Sequence, residues 1–199
     1  MSYIIPHVEY VDQGVHKTSN PYSFLLNERV VFLYSDVNPY SANAIVAQLL
    51  ALEKKSEHKE IDFYINSGGG HVTEGLAIYD TIQNLSCKVN TVCVGQACSM
   101  GAFLLAGGTG LRVATPNSRV MIHQILGGTS GQGTDIQIQA AETQRLKELL
   151  TGIMAENSAQ SFDAMMNACE RDNFLTPSAA KAFGLIDKVL APKHKRHEK

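Results

Sequence analysis

The sequence predicts an α/β domain with parallel strand pairing. Short runs rich in Val and Ile alternate along the chain with segments of helical periodicity. Two of these runs end in glycine, at Gly68–Gly70 and at Gly95, where a strand would turn into a helix. The 199 residues suit one domain with a sizeable core, and 44% hydrophobic against 18% charged residues place the chain among ordinary globular proteins. No internal repeat and no linker divides it.

Taken in order, residues 1–24 are poorly patterned, with turn formers at Gly14 and Asn20-Pro21, and read as an N-terminal arm. Val30 to Tyr34 reads as a strand. Ser41 to Lys55 carries Ile45, Val46, Leu49, Leu50 and Leu52 at helical spacing, with Ser41 as its N-cap. A second strand, Ile61 to Ile65, runs into the turn Asn66-Ser67-Gly68-Gly69-Gly70. Val72 to Asn84 is helical. Val89 to Val94 is a third strand and Ser99 to Ala106 the next helix. Arg112 to Ala114 and Arg119 to Ile122 are short strands on either side of Thr115-Pro116-Asn117. A long helix runs from about Asp135 to Asn157; Gln139, Glu142, Arg145 and Glu148 interleave there with Ile138, Leu146, Leu149 and Leu150. That polarity suits a helix lying over the sheet or projecting to another subunit. Ser161 to Cys169 and Pro177 to Phe183 are short helices, and Ile186 to Leu190 is a closing strand. A single domain thus spans 25–192, followed by a basic tail at 193–199.

Charge and composition exclude several functions. A net charge of −2 gives no electrostatic case for nucleic acid or a membrane surface. The basic residues at 193–199 read as a solvated terminus, and the tail's two histidines gain no further support as metal ligands. The four cysteines, at 87, 93, 98 and 169, form no Cys-x-x-Cys pair. They read as core thiols suited to a reducing compartment. No signal peptide and no span long enough for a bilayer is evident, so the expected location is cytoplasmic. The glycine clusters complete neither a Walker A loop nor a G-x-G-x-x-G fingerprint. No cofactor is expected in this chain; if ATP matters, another protein hydrolyses it.

The chemistry gathers on Ser99, in Gly95-Gln96-Ala97-Cys98-Ser99-Met100-Gly101-Ala102. A hydroxyl between an apolar strand and an apolar helix is well placed for a nucleophile. A helix N-terminus offers free N–H groups to an oxyanion, and small neighbours let a substrate backbone approach. Taken alone, it is equally a helix cap. A serine needs a base, and His123, at the end of the strand Arg119–Ile122, is the best candidate. His71, after the glycine turn, is its competitor. Asp172, in the charged knot Glu170-Arg171-Asp172-Asn173, is an orienting acid or simply part of a surface ion-pair cluster. The turn Gly68–Gly70 is a plain strand-to-helix turn or a backbone donor with no side chain in the way.

These residues reach a resemblance. The chain is similar to the ClpP family, the serine peptidase subunits of the Clp protease, from about Leu25 to Leu190. The likeness rests on Tyr64-Ile65-Asn66-Ser67-x-Gly69-Gly70, Gly95-Gln96-Ala97-x-Ser99-Met100-Gly101-Ala102, Pro116-Asn117-Ser118-Arg119-x-Met121-Ile122-His123-Gln124 and Glu170-Arg171-Asp172-x-Phe174-Leu175. Four motifs in the right order are far more specific than any one of them.

The resemblance implies a crotonase-like ββα superhelix, with a projecting handle helix near 135–157. It implies serine endopeptidase activity with Ser99 as nucleophile, His123 as general base and Asp172 as orienting carboxylate. The N–H groups of Gly70 and Met100 would form the oxyanion hole. A strand near Val72 and the segment at Leu126 would flank an extended polypeptide substrate by main-chain pairing. The family forms two stacked heptameric rings around a chamber, and AAA+ unfoldases of the ClpX or ClpA type supply ATP-driven threading. An acyl-CoA enzyme of the same fold would not explain Ser99 together with His123. The chain departs from the family at Gly68, where proline is usual, at His71, where an aliphatic residue is usual, and in the N-terminal region. These departures imply an alternative: a divergent ring subunit, weakly active alone, that works with a second ClpP paralogue.

Overall fold

Alternation builds the centre of the sheet. Ile61, Phe63 and Ile65 occupy every second position of β4 (Ile61–Ser67), and all three are fully buried. The computed structural model describes residues 6–191; the first five residues and the expected basic tail at 193–199 lie outside them. β4 lies parallel between β3 (Val30–Leu33) and β5 (Val89–Cys98). The sheet then continues through β6 (Arg112–Ala114) to β9 (Lys188–Val189).

β5 forks. Thr91–Cys93 pair with β6, whereas Gln96–Cys98 pair with β7 (Arg119–Ile122). Gly95 stands at the fork with φ 80°, and a Cβ there would meet Asn66 Oδ1 at 2.9 Å. The strand expected to stop at Val94 therefore bends at its glycine and resumes pairing for one more turn of the ladder. β7 pairs antiparallel with β8 (Asn173–Leu175), so the sheet is mixed where parallel pairing alone was expected.

The helices cover this sheet. α2 (Pro39–Lys55) and α3 (Val72–Asn84) bury Ile45, Leu49, Leu52, Ile78 and Ile82 against it. The N-cap of α2 is Asn38, not Ser41. The Asn38 side chain accepts from the N–H groups of Tyr40 and Ser41, and Ser41 Oγ accepts from the Asn38 N–H. Pro39 begins the helix, where its missing N–H costs nothing. α4 (Met100–Ala106) is buried along its whole length, which accounts for its unbroken apolar sequence.

α5 (Gly133–Ser158) begins two residues before its expected start. Its residues 133–145 are exposed on every side, while Thr151, Met154, Ala155 and Ser158 are buried. At 26 residues it is about 39 Å long. It projects for its first half and packs for its second. Ala159, in the left-handed region at φ 55°, ends it. α6 (Phe162–Ala168) and α7 (Pro177–Ala182) match expectation to within a residue or two.

The N-terminal region is more ordered than its sequence suggests. β1 (Val8–Asp12) and β2 (Val15–Ser19) form an antiparallel hairpin. Gln13 and Gly14 join them with φ 50° and 79°, as a tight two-residue turn requires. α1 (Pro21–Asn27) follows, capped by Asn20, and the arm's expected end at residue 24 falls within it.

Candidate active site

Ser99 sits at the N-cap of α4 with φ 53° and ψ −122°, a conformation side-chain-bearing residues rarely adopt. Such strain costs on the order of 1–3 kcal/mol and persists only where surrounding structure enforces it. Here the Ser99 N–H donates to Met121 O at 2.8 Å, and its carbonyl accepts from the Phe103 N–H at 3.0 Å. The hydroxyl makes no capping bond to the helix. Ser99 therefore holds the cap position without doing the work of a cap, and its Oγ is left for other chemistry.

Gly69 presses against it, and Gly70 presses against Val37. A Cβ on Gly69 would lie 2.6 Å from Ser99 Cβ and 2.8 Å from Cys98 O. A Cβ on Gly70 would run into the Val37 carbonyl oxygen. Val37 donates its N–H to Gly69 O at 2.7 Å and accepts from the His71 N–H at 2.9 Å. In such a parallel bridge the residue between, Gly70, turns its own N–H away from Val37. The Met100 N–H is the first of α4 and has no intrahelical acceptor. Gly70, Ser99 and Met100 line one cleft of about 280 Å³, together with His123. Two donors with no partner among the described residues thus border the space at the Ser99 hydroxyl.

Strand register brings the rest. Cys98 is opposite Met121 in the β5–β7 ladder, so Ser99 and His123 follow two neighbouring strand ends. In the antiparallel β7–β8 ladder Ile122 is opposite Asn173. One step further puts His123 opposite Asp172, and His123 Nδ1 lies 3.2 Å from Asp172 Oδ1. The imidazole is 11% exposed and the carboxylate 62%. Asp172 is outside the cleft, in an adjoining hollow whose wall His123 shares. With Nδ1 turned to the carboxylate, Nε2 is the ring nitrogen left for the cleft. His71 does not line the cleft; its Nδ1 is 3.6 Å from Glu74 Oε2 on an exposed face.

The two residues expected to flank a substrate, Val72 and Leu126, fare differently. Val72 lines the cleft, but as the first residue of α3 rather than part of a strand. The helix begins directly after the turn because the Gly75 N–H already donates to His71 O. No pairing edge exists on that side at Val72. Leu126 lines the cleft and is 80% exposed. Residues 124–127 make no backbone hydrogen bond among the described residues, so their N–H and C=O groups are available to an extended chain.

Sequence reasoning missed the far wall. Lys147, Leu150, Thr151 and Met154 of α5 line the cleft with Phe103, Met121 and Cys169. Their spacing of three, four and seven residues marks one helix face, a signal that was present but masked by the polar residues around it. All four cysteines are buried and unpaired. Burial pushes the Cys93 and Cys169 thiols up to about 11, and raises Cys98 also, against the opposing pull of Arg119. At these three positions burial disfavours the reactive thiolate form.

Among the described residues no group of three or more His, Cys, Asp or Glu could hold a metal ion, and no helix is long and apolar enough to cross a membrane. The α/β architecture with its mixed sheet is that of the crotonase-like fold. A family model described as Clp protease matches residues 13–193, nearly the whole chain. The chain belongs to the Clp protease family.

Proposed function

We propose that the protein is a serine endopeptidase that cleaves unfolded polypeptides through Ser99, His123 and Asp172. The observation that carries this is the His123–Asp172 pair, 3.2 Å apart, at the edge of a cleft that also holds an uncapped, strained serine. Asp172 holds the proton on Nδ1, so Nε2 can take the proton of Ser99 Oγ as it attacks a peptide carbonyl carbon. The Gly70 and Met100 N–H groups take up the negative charge that develops on the carbonyl oxygen. His123 then gives its proton to the leaving amine, and water releases the acyl group from Ser99. Substrate lies along the unpaired backbone at Leu126 and past Val72, held mainly by its main chain, which suits cleavage with little side-chain selectivity.

Family membership supports an assembly of two stacked heptameric rings with cytoplasmic AAA+ unfoldases of the ClpX or ClpA type on its axial faces. The exposed half of α5 is the natural inter-ring contact. One observation favours a second reading, a ring subunit active only beside another ClpP paralogue. The turn that carries the Gly70 donor is glycine at all three positions, 68 to 70, and is less preorganised than one built on proline. Hydrolysis of a fluorogenic peptide by the purified chain tests the first reading. The expected result is turnover that Ser99→Ala abolishes. Equal rates for parent and Ser99→Ala would refute self-sufficient activity.

A further inference from the structure

Next to the histidine–aspartate pair lies a second polar connection that the peptidase reading does not use. The Gln124 side-chain oxygen accepts from Lys147 Nζ at 2.9 Å, and its side-chain nitrogen donates to the Glu170 carbonyl oxygen, also at 2.9 Å. The orientation of this amide is chemically forced. Lysine can only donate and a carbonyl can only accept, so a flipped Gln124 would lose both bonds. The three residues come from distant parts of the chain, separated by 23 and 46 positions. Gln124 directly follows His123, and Glu170 is two residues before Asp172. Lys147 lies on the face of α5 that lines the cleft.

The β7–β8 ladder fixes the chain only as far as Asn173, one residue short of Asp172. Its carboxylate is 62% exposed and has no side-chain partner but His123 among the described residues. Its position therefore depends on the ladder on one side and on the backbone at 170–172 on the other. From below, Asn173 Nδ2 donates to Ala168 O at 3.1 Å. From above, Gln124 grips Glu170. We propose that Gln124 and Lys147 are positioning residues for the His123–Asp172 pair: Gln124 clips the histidine-bearing strand end to the acid-bearing segment, and Lys147 fixes the clip from α5. This rests on the peptidase reading for its catalytic consequence, though not for its geometry.

Two variants dissect the clip. Lys147→Met keeps the apolar stem and removes the donor. Gln124→Glu keeps an acceptor for Lys147 and removes the donor to Glu170. Peptide turnover and hydrogen–deuterium exchange of the segment 168–176 are measured on the intact assembly, with Ser99→Ala as the zero-activity reference. The expected result is a ten- to hundredfold fall in kcat for both variants with KM changed less than twofold, and at least fivefold faster exchange at 168–176. Lys147→Arg, which keeps a donor in reach, restores most of the lost turnover. Unchanged exchange in both variants overturns the proposal, whatever their activity. Faster exchange with unchanged kcat overturns the positioning role. A parent no more active than Ser99→Ala would refute the peptidase reading instead, and the exchange readout would still decide whether the clip holds the acid-bearing segment.

Discussion

Of the three consecutive glycines in one turn, two are required by the backbone and one is not. Gly70 and Gly69 have φ of 143° and 101° and lie against backbone with no room for a Cβ. Gly68 has neither constraint: its φ is outside the left-handed region, and a Cβ there would meet Asp36 Oδ1 at an ordinary 3.6 Å. The two ends of the turn should therefore respond oppositely to the same change. Gly70→Ala is expected to cost at least about 2 kcal/mol and to abolish turnover, since it strains the backbone and displaces the N–H proposed to serve the oxyanion. Gly68→Ala is expected to stabilise by about 0.4–1 kcal/mol by narrowing the unfolded ensemble, and to leave turnover equal or higher. Urea unfolding and peptide hydrolysis on the same preparations check both.

Elements were legible in the sequence where one face is buried and the other wet. α2, α3, β4 and β7 have that pattern, and their limits lie within two residues of expectation. The β1–β2 hairpin is mostly exposed on both faces, so no alternation marks it, and its turn rests on a positive φ at Gln13 that composition does not announce. β8 is three residues long with no buried residue. For the site, Ser99 and the glycine turn announce themselves locally. The His123–Asp172 pairing does not, because it follows from a ladder between strands some fifty residues apart. Arg112 is another long-range tie: it holds Asp187 through Nη2 at 2.6 Å and the Asn157 carbonyl near the end of α5 at 2.7 Å. Hydrogen bonding from Arg112 lowers the Asp187 pKa, against a smaller opposing effect of burial. A lowered folded value means that the stability Asp187 contributes is complete above its unfolded value, about 3.9, and is lost as pH falls through the folded value. Asp187→Asn is thus expected to lower the midpoint of urea unfolding at pH 6, with a gap from the parent that narrows on titration from pH 4 towards pH 2.

At the scale of the molecule, the projecting half of α5 is hard to account for in an isolated chain. Thirteen consecutive residues, 133–145, are exposed, and Ile136 and Ile138 among them are 39% and 59% accessible, with Leu149 further along at 38%. Helices with so little tertiary packing are marginal in water, which supports the proposed contact of this one with a second subunit. Ile138→Glu combined with Leu149→Glu is expected to shift the assembly to a smaller species in light scattering at micromolar concentration, with the monomer's circular dichroism largely kept. Full retention of the large species would locate the contact elsewhere. The backbone strain at Ser99 has a different bearing on the whole. Glycine would adopt φ 53° and ψ −122° with little steric strain, so replacing the proposed nucleophile by glycine would relax the backbone here. On the proposed mechanism, a substitution that relaxes this backbone would therefore also remove activity. A chain that keeps serine at this position carries a standing thermodynamic handicap, which supports the proposal that the hydroxyl is kept for chemistry.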